Sequence, residues 1–322
     1  MGIPYYPGCT LSTKAKNYDR SGRAVAAALG LDLEELPEWQ CCGATFPLML
    51  DDSMALIAPT RVLYQAQLAI EQDSIDRAEG SAKRPLATMC AICFNVLRRS
   101  QALLDRDDEM LERINWFTEQ EYERGIRVAH LLEILRDGEN LDADAKDAQR
   151  PWAALIERIE EVGGVDNLVA GMRVAPYYGC LLLRPHDEIG LDDPEDPSIM
   201  HDLLQALGAE PVDFPYNIEC CGSYLAVKEP QVTEDLSKTI VASARAHGAQ
   251  AIITACPLCQ FNLDYAQRGG EAGATGNEIP ILYFTQLMAM ALGLPEADWG
   301  LEEHYVDPQV LCAGVRTAEA VE

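Results

Sequence analysis

The sequence predicts an α/β fold built as two pseudo-symmetric repeats. Each is a small, mainly parallel sheet with flanking helices and a cysteine-lined site at the strand ends. The prediction rests on a cysteine pattern that occurs twice, on a short apolar run ahead of each Cys-x-x-Cys, and on helical segments between these runs.

Ten of the eleven cysteines form two sets of the same form: Cys9, Cys41, Cys42, Cys90 and Cys93, then Cys180, Cys220, Cys221, Cys256 and Cys259. Their surroundings repeat as well. Pro4-Tyr5-Tyr6-Pro7-Gly8-Cys9 matches Ala175-Pro176-Tyr177-Tyr178-Gly179-Cys180, and Trp39-Gln40-Cys41-Cys42-Gly43 matches Ile218-Glu219-Cys220-Cys221-Gly222. Duplication explains this better than chance.

The elements follow in order. Segments Ser21 to Leu29, Ala58 to Ile70 and Gln231 to Ala246 read as helices. Pro85 to Cys90 and Ala251 to Cys256 are apolar runs ending at a Cys-x-x-Cys that opens a helical pattern, hence strand, turn, helix. Gly125 to Leu132 and Glu278 to Phe284 are further runs leading into helices at Leu131 to Leu135 and Gln286 to Leu292. Strands alternating with helices favour parallel pairing, which gathers ligand-binding loops beyond the carboxyl ends of the strands. The polar stretch Arg136 to Asp147 separates the two cysteine sets and predicts domains at 1–150 and 151–322. The longer step from Cys42 to Cys90, against 35 residues from Cys221 to Cys256, suggests an insertion around Asp73 to Arg84. Cys312, in the acidic tail, reads as an idle thiol.

Composition narrows the function. With 25 Lys and Arg against 52 Asp and Glu, the net charge of -27 repels phosphate backbones and anionic membranes, so nucleic acid is an unsuitable partner. The opening residues contain no secretion signal, and the longest apolar stretch, Ile281 to Leu294, is interrupted and shorter than the roughly 20 residues of a membrane span. A soluble, cytoplasmic protein without direct membrane insertion is expected. In such a setting cysteines serve metals or redox chemistry rather than structural disulfides.

Five thiols per set exceed what structural zinc or an ordinary cubane cluster takes, which is about four. Adjacent cysteines point in different directions and suit different irons of one enlarged or bridged iron–sulfur cluster. Gly43 and Gly222, lacking Cβ, let the backbone approach such a group. The sequence carries no dinucleotide fingerprint or phosphate loop, so neither flavin nor nucleotide is expected in this chain.

A cysteine, a gap of roughly 30 to 40 residues, Cys-Cys-Gly and then Cys-x-x-Cys resembles the signature of the CCG domain, present here twice. The chain is similar, from Tyr5 to about Leu292, to the HdrB component of heterodisulfide reductase, including Tyr177-Tyr178-Gly179-Cys180-Leu181-Leu182-Leu183-Arg184-Pro185. The resemblance implies two noncubane [4Fe-4S] clusters, one per cysteine set, with a disulfide of small thiols cleaved or formed between them by one-electron chemistry. It implies electrons from an iron–sulfur partner resembling the HdrC component of heterodisulfide reductase and, through it, from the flavin-bearing HdrA component.

An anionic disulfide calls for cations, for which Arg184, Lys14 and Lys16 are candidates, while His186 and His130 are candidate proton relays. Two rival readings stand beside this one. CCG proteins also occur in complexes resembling glycolate, lactate or succinate oxidation systems, where they pass electrons onward. A zinc-binding structural protein would leave one thiol of a set spare.

Overall fold

The computed structural model describes residues 2–44, 53–75, 85–138, 152–162, 167–268 and 278–311. Cys312, most of the anticipated insertion at 73–84 and the expected boundary at 150 lie outside the described residues.

The first half runs β1 (Ile3–Tyr5), α1 (Gly8–Leu11), α2 (Lys16–Ala28), β2 (Leu33–Glu35), α3 (Ile57–Ile75), β3 (Leu86–Thr88), α4 (Ala91–Arg106), α5 (Asp108–Thr118), β4 (Val128–His130) and α6 (Leu131–Asp137). The second runs α7 (Ala153–Val162), β5 (Arg173–Tyr177), α8 (His186–Ile189), α9 (Ile199–Ala206), β6 (Glu210–Pro211), α10 (Pro230–Ala246), β7 (Ala251–Thr254), α11 (Pro257–Tyr265), β8 (Ile281–Tyr283), α12 (Phe284–Ala291) and α13 (Glu296–Trp299).

Each half forms a four-stranded sheet, ordered β2-β1-β3-β4 and β6-β5-β7-β8, with every pair parallel. The expected fold class is thus present twice. The registers Tyr5↔Ala87↔Ala129 and Pro176↔Ile253↔Leu282 align equivalent positions of the two halves. Strands β3, β4, β7 and β8 are buried along their whole length, which is why they read as continuous apolar runs. In each sheet the chain leaves the central strand (β1 or β5) toward one edge, then crosses back to the other side (β3 or β7). That reversal opens a crevice at the carboxyl ends of the strands.

Local chemistry sets the helix ends. Asp107 is extended, so α4 stops there, and its carboxylate accepts the Met110 N–H at 2.9 Å to start α5. Pro230 and Pro257 open α10 and α11, where a missing N–H costs nothing. His130 starts α6 by accepting the Leu132 N–H on Nδ1 at 3.2 Å.

One hydrophobic core extends through both halves. The Tyr18 hydroxyl donates to the carbonyls of Met89 (2.7 Å) and Ala255 (3.3 Å), the residues just before Cys90 and Cys256. The Ala91 N–H also donates to the Ala255 carbonyl at 3.1 Å. Tyr18 stacks on Tyr283 with ring centroids 4.0 Å apart, and Ser21 and Thr285 hydroxyls meet at 2.7 Å. On the other side of α4, Asn95 donates to the carbonyls of Leu181 and Arg184, both at 2.7 Å, and Arg99 pairs with Glu188. The Cys-x-x-Cys turns of the two halves are therefore neighbours, joined at one buried hydroxyl.

Candidate metal centre

Each cysteine set assembles from the ends of three strands. After β1 and β5 come Cys9 and Cys180; after β2 and β6 come the Cys-Cys pairs; after β3 and β7, Cys90 and Cys256 stand immediately before α4 and α11, with Cys93 and Cys259 one turn inside. The result is two layers. Cys42, Cys90, Cys93, Cys221, Cys256 and Cys259 are buried, whereas Cys9, Cys41 and Cys220 are exposed and Cys180 is half-buried.

The sulfurs touch in pairs. In the first set Cys41 lies 3.6 Å from Cys9 and Cys42 3.8 Å from Cys93; in the second Cys180 lies 3.7 Å from Cys220 and Cys221 3.5 Å from Cys259. Hydrogen bonding to Cys41 and then Cys93 holds the Cys42 thiol down to about 3, and the same contacts push Cys41 and Cys93 up. Cys180 likewise holds Cys220 down to about 6 and is itself pushed up. Such pairs part with one proton readily and resist losing the next, so a cation is needed to hold all five as thiolates.

Backbone geometry prepares the sites. Gly8 and Gly179 have φ of +74° and +64°, and a Cβ there would stand 2.7 Å from Cys93 Sγ and 3.2 Å from Cys259 Sγ. Glycine immediately before the first cysteine is thus favoured by conformation in both sets and by space above all in the first. Gly43 and Gly222 (φ +88° and +89°) turn the chain so that their N–H groups donate back to Cys41 Sγ at 3.5 Å and Cys220 Sγ at 3.4 Å. The Tyr6 hydroxyl donates to the Gln40 carbonyl at 2.8 Å and the Tyr177 hydroxyl to the Glu219 carbonyl at 2.7 Å, fixing the residue ahead of each Cys-Cys pair. Asn262 Nδ2 donates to Cys221 Sγ at 3.4 Å.

Among the described residues no three Cys, His, Asp or Glu side chains converge as a single-ion site. Five sulfurs in two layers, with amides directed at them, instead fit a group spread over several metal ions. An all-thiol donor set suits iron–sulfur groups, and it is one that zinc also takes.

The other anticipated site residues fall apart from one another. The Arg184 guanidinium donates to the carbonyls of Ile218 (3.3 Å) and Pro194 (3.1 Å) and pairs with Glu195 at 3.3 Å, so its donors brace the loops around Cys180. His186 is exposed on α8. His130 is fully buried, with Nε2 2.7 Å from the Met89 carbonyl and Nδ1 engaged with the Leu132 N–H. Burial holds its pKa down to about 4, so it is a neutral structural group rather than a relay. Lys14 lies at the rim of a cavity of about 700 Å³, whose wall includes Thr10, Ile92 and Leu258. Lys16 is exposed at the start of α2.

Tyr224 was not anticipated. It follows the second Cys-Cys-Gly in a short helical turn, Ser223–Leu225, and its hydroxyl donates to the Ala44 carbonyl, just past the first Cys-Cys-Gly, at 2.9 Å. Burial first, then the thiols of Cys256, Cys42, Cys180 and Cys90, push its pKa up to about 12, which places this phenol within electrostatic reach of both sets.

Comparison with known proteins agrees with this architecture. The Cysteine-rich (CCG) domain description matches residues 3–98 and again 174–264. A Wolinella succinogenes protein named 8-methylmenaquinol:fumarate reductase membrane anchor subunit is 29% identical over 94% of this chain and 96% of its own. A Methanosarcina acetivorans protein, named as the HdrB component of a ferredoxin/F(420)H(2)-dependent CoB-CoM heterodisulfide reductase, is 25% identical over 94% of this chain and 93% of its own. An Archaeoglobus profundus protein, named as similar to the HdrB component of heterodisulfide reductase, is 27% identical over 91% and 92%. Among solved structures, a hypothetical protein from Helicobacter pylori superposes with a TM-score of 0.62 at 15% identity, covering 94% of this chain and 51% of that one, a likeness of fold.

Proposed function

This chain belongs to the CCG cysteine-rich domain family, with the domain present twice, and from that premise we propose that it is the redox component of a multi-protein reductase, with a noncubane [4Fe-4S] cluster on each cysteine set. In this reading it reduces, or in reverse forms, a disulfide of small thiols, as its relatives named for the HdrB component of heterodisulfide reductase suggest. Its electrons come from an iron–sulfur partner resembling HdrC, itself fed by a flavin-bearing partner resembling HdrA, on the cytoplasmic side. No helix among the described residues is long and apolar enough to cross a membrane.

The observation that carries the reading is the layering of each set, an open outer pair over a buried triplet, repeated on two sites that share an interface. The buried cysteines, two of each three fixed by β3 or β7 and the helix that follows it and the third by the Cys-Cys-Gly turn, would anchor a group from below. The outer pair leaves its far side open to a small thiol. Bound clusters would supply one-electron transfer and a metal face for sulfur. The chain holds the two sites in fixed relation through Tyr18 and Tyr224, so that the two sulfurs of one disulfide meet separate sites.

A second reading, an electron-transfer protein without disulfide chemistry, is favoured by the fumarate reductase relative at 29% identity. Anaerobic purification followed by iron, sulfide and zinc analysis and paramagnetic resonance during titration with a thiol separates these. About eight irons per chain with a thiol-dependent signal supports the disulfide enzyme. Iron without thiol response supports the relay, and zinc in place of iron sinks both.

A further inference from the structure

The cavity of about 700 Å³ beside the two Cys-x-x-Cys turns lies within the size range of small-molecule sites. Its wall brings both halves together. Ile92 lies between Cys90 and Cys93, Pro257 and Leu258 lie between Cys256 and Cys259, and Thr10 follows Cys9. A molecule touching Ile92 and Leu258 is therefore one residue, about 4 Å of chain, from a cysteine of each set. Yet no cysteine is among the lining residues. An occupant there would lie beside both sites without its atoms meeting a cysteine sulfur, which suits an outer-sphere electron carrier better than a disulfide that must reach thiol-bound metal.

The lining also selects charge and shape. Its formal charges are one Lys14 and one Glu303, which cancel, and His304 is neutral because burial holds its pKa down to about 4. The remaining polar groups include the neutral amides of Asn17 and Gln260, which are turned inward: Asn17 Nδ2 donates to the Gly300 carbonyl at 3.1 Å, and Gln260 Nε2 to Asp264 Oδ2 at 3.1 Å and the Ile281 carbonyl at 3.3 Å. Phe261 and Tyr305, 42% and 56% exposed, form an aromatic cluster with Tyr265, in which ring centroids lie 5.2 to 6.1 Å apart. Phe261 and Tyr305 both belong to the wall, and Tyr283 lies in its buried part. Tyr305 is fixed there because Asp264, itself buried, accepts the N–H groups of Tyr305 (2.8 Å) and Val306 (3.1 Å). A neutral interior, the Lys14 ammonium and an aromatic rim at the surface match a flat, uncharged ring bearing carbonyl oxygens, with an apolar tail leaving over the rim.

We infer that this cavity is a binding site for the ring of a quinone or quinol, held between Ile92, Leu258, Phe261 and Tyr283, with the Lys14 ammonium available to its oxygens. A quinol bound there releases two electrons and two protons as it becomes quinone; the protons leave to solvent and the electrons pass to the clusters, a step that rests on the cluster reading above, whereas binding does not.

The test is calorimetric titration of the anaerobically purified full chain, its iron content measured in parallel, with 2-methyl-1,4-naphthoquinone. Saturable binding of one molecule per chain is expected, weakened about tenfold or more by Phe261→Glu, which puts a charge into the neutral cavity, and reduced by Tyr305→Ala, both with unchanged iron content and circular dichroism. Absence of saturable binding to the wild-type chain, binding unaffected by both substitutions, or displacement by a small disulfide would each overturn the inference. Binding by a chain that carries no iron would leave the site standing and remove the cluster reading instead.

Discussion

Replacing Gly8 by Ala and, separately, Gly179 by Ala perturbs the two cysteine sets by the same chemistry and by different amounts. Both residues have positive φ, +74° and +64°, and an L side chain there costs on the order of 1 to 2 kcal/mol at each. The steric demand differs. The new Cβ would stand 2.7 Å from Cys93 Sγ but 3.2 Å from Cys259 Sγ, whereas ordinary contact begins at 3.4 Å. The first sulfur must retreat by about 0.7 Å and the second by about 0.2 Å, taking those differences directly. Metal–sulfur bonds tolerate about 0.2 Å, so Gly8→Ala should empty the first site and Gly179→Ala should largely spare the second. Iron and sulfide analysis then reads about half the wild-type content in Gly8→Ala and nearly all of it in Gly179→Ala. Urea unfolding of the metal-free chains reads similar losses of stability. Equal iron loss in the two variants, or full iron in both, would refute the assignment of these glycines to ligand spacing.

Two further perturbations test the frame around the sites. Tyr18→Phe keeps the stack on Tyr283 and removes the hydroxyl, but the Met89 and Ala255 carbonyls retain His130 Nε2 and the Ala91 N–H; unfolding in urea should show a loss of only about 1 kcal/mol, and a loss several times larger would mean that no other donor serves those carbonyls. His130 has a folded pKa of about 4 against an ordinary 6.5, so between these values the unfolded chain binds the proton more tightly and stability falls as pH falls. From pH 7 to pH 4.5 the wild-type chain should lose about 2 kcal/mol more than His130→Asn, which keeps a cap for α6 but does not titrate. Parallel pH dependences in the two proteins would show that His130 is not buried as a neutral group.

What could be read from the sequence was what repeats. The paired cysteine sets, the apolar runs that became β3, β4, β7 and β8, and the helices starting at each Cys-x-x-Cys follow from spacing and burial on a local scale. The edge strands β2 and β6 did not announce themselves: Leu33-Glu34-Glu35 is largely exposed and Glu210-Pro211 is two residues long, too short for any alternation to register. Nor did the residues that join the halves. Tyr18 is an unremarked helical tyrosine until folding sets it against the carbonyl of Ala255, 237 positions away. Tyr224 meets Ala44 across 180 positions. His130 drew attention because histidine titrates near neutrality, but that property vanishes once burial engages both ring nitrogens. The motif tyrosines Tyr6 and Tyr177 were visible as a repeat, while their task of pinning the residue before each Cys-Cys pair depends on contacts 34 and 42 positions along the chain.

The open outer pairs have a practical side. Cys9 and Cys41, and Cys180 and Cys220, rest 3.6 and 3.7 Å apart at the surface, and a disulfide needs only about 2.05 Å between sulfurs. Without metal, each pair is one small movement and one oxidant away from a crosslink that would use up two of the five donors. Metal loading and air are therefore in a race at the outer rim of each site, while the inner thiols wait behind it. Chain made in air would be expected to fold, keep both sheets and yet refuse iron until a reductant reopens the rim.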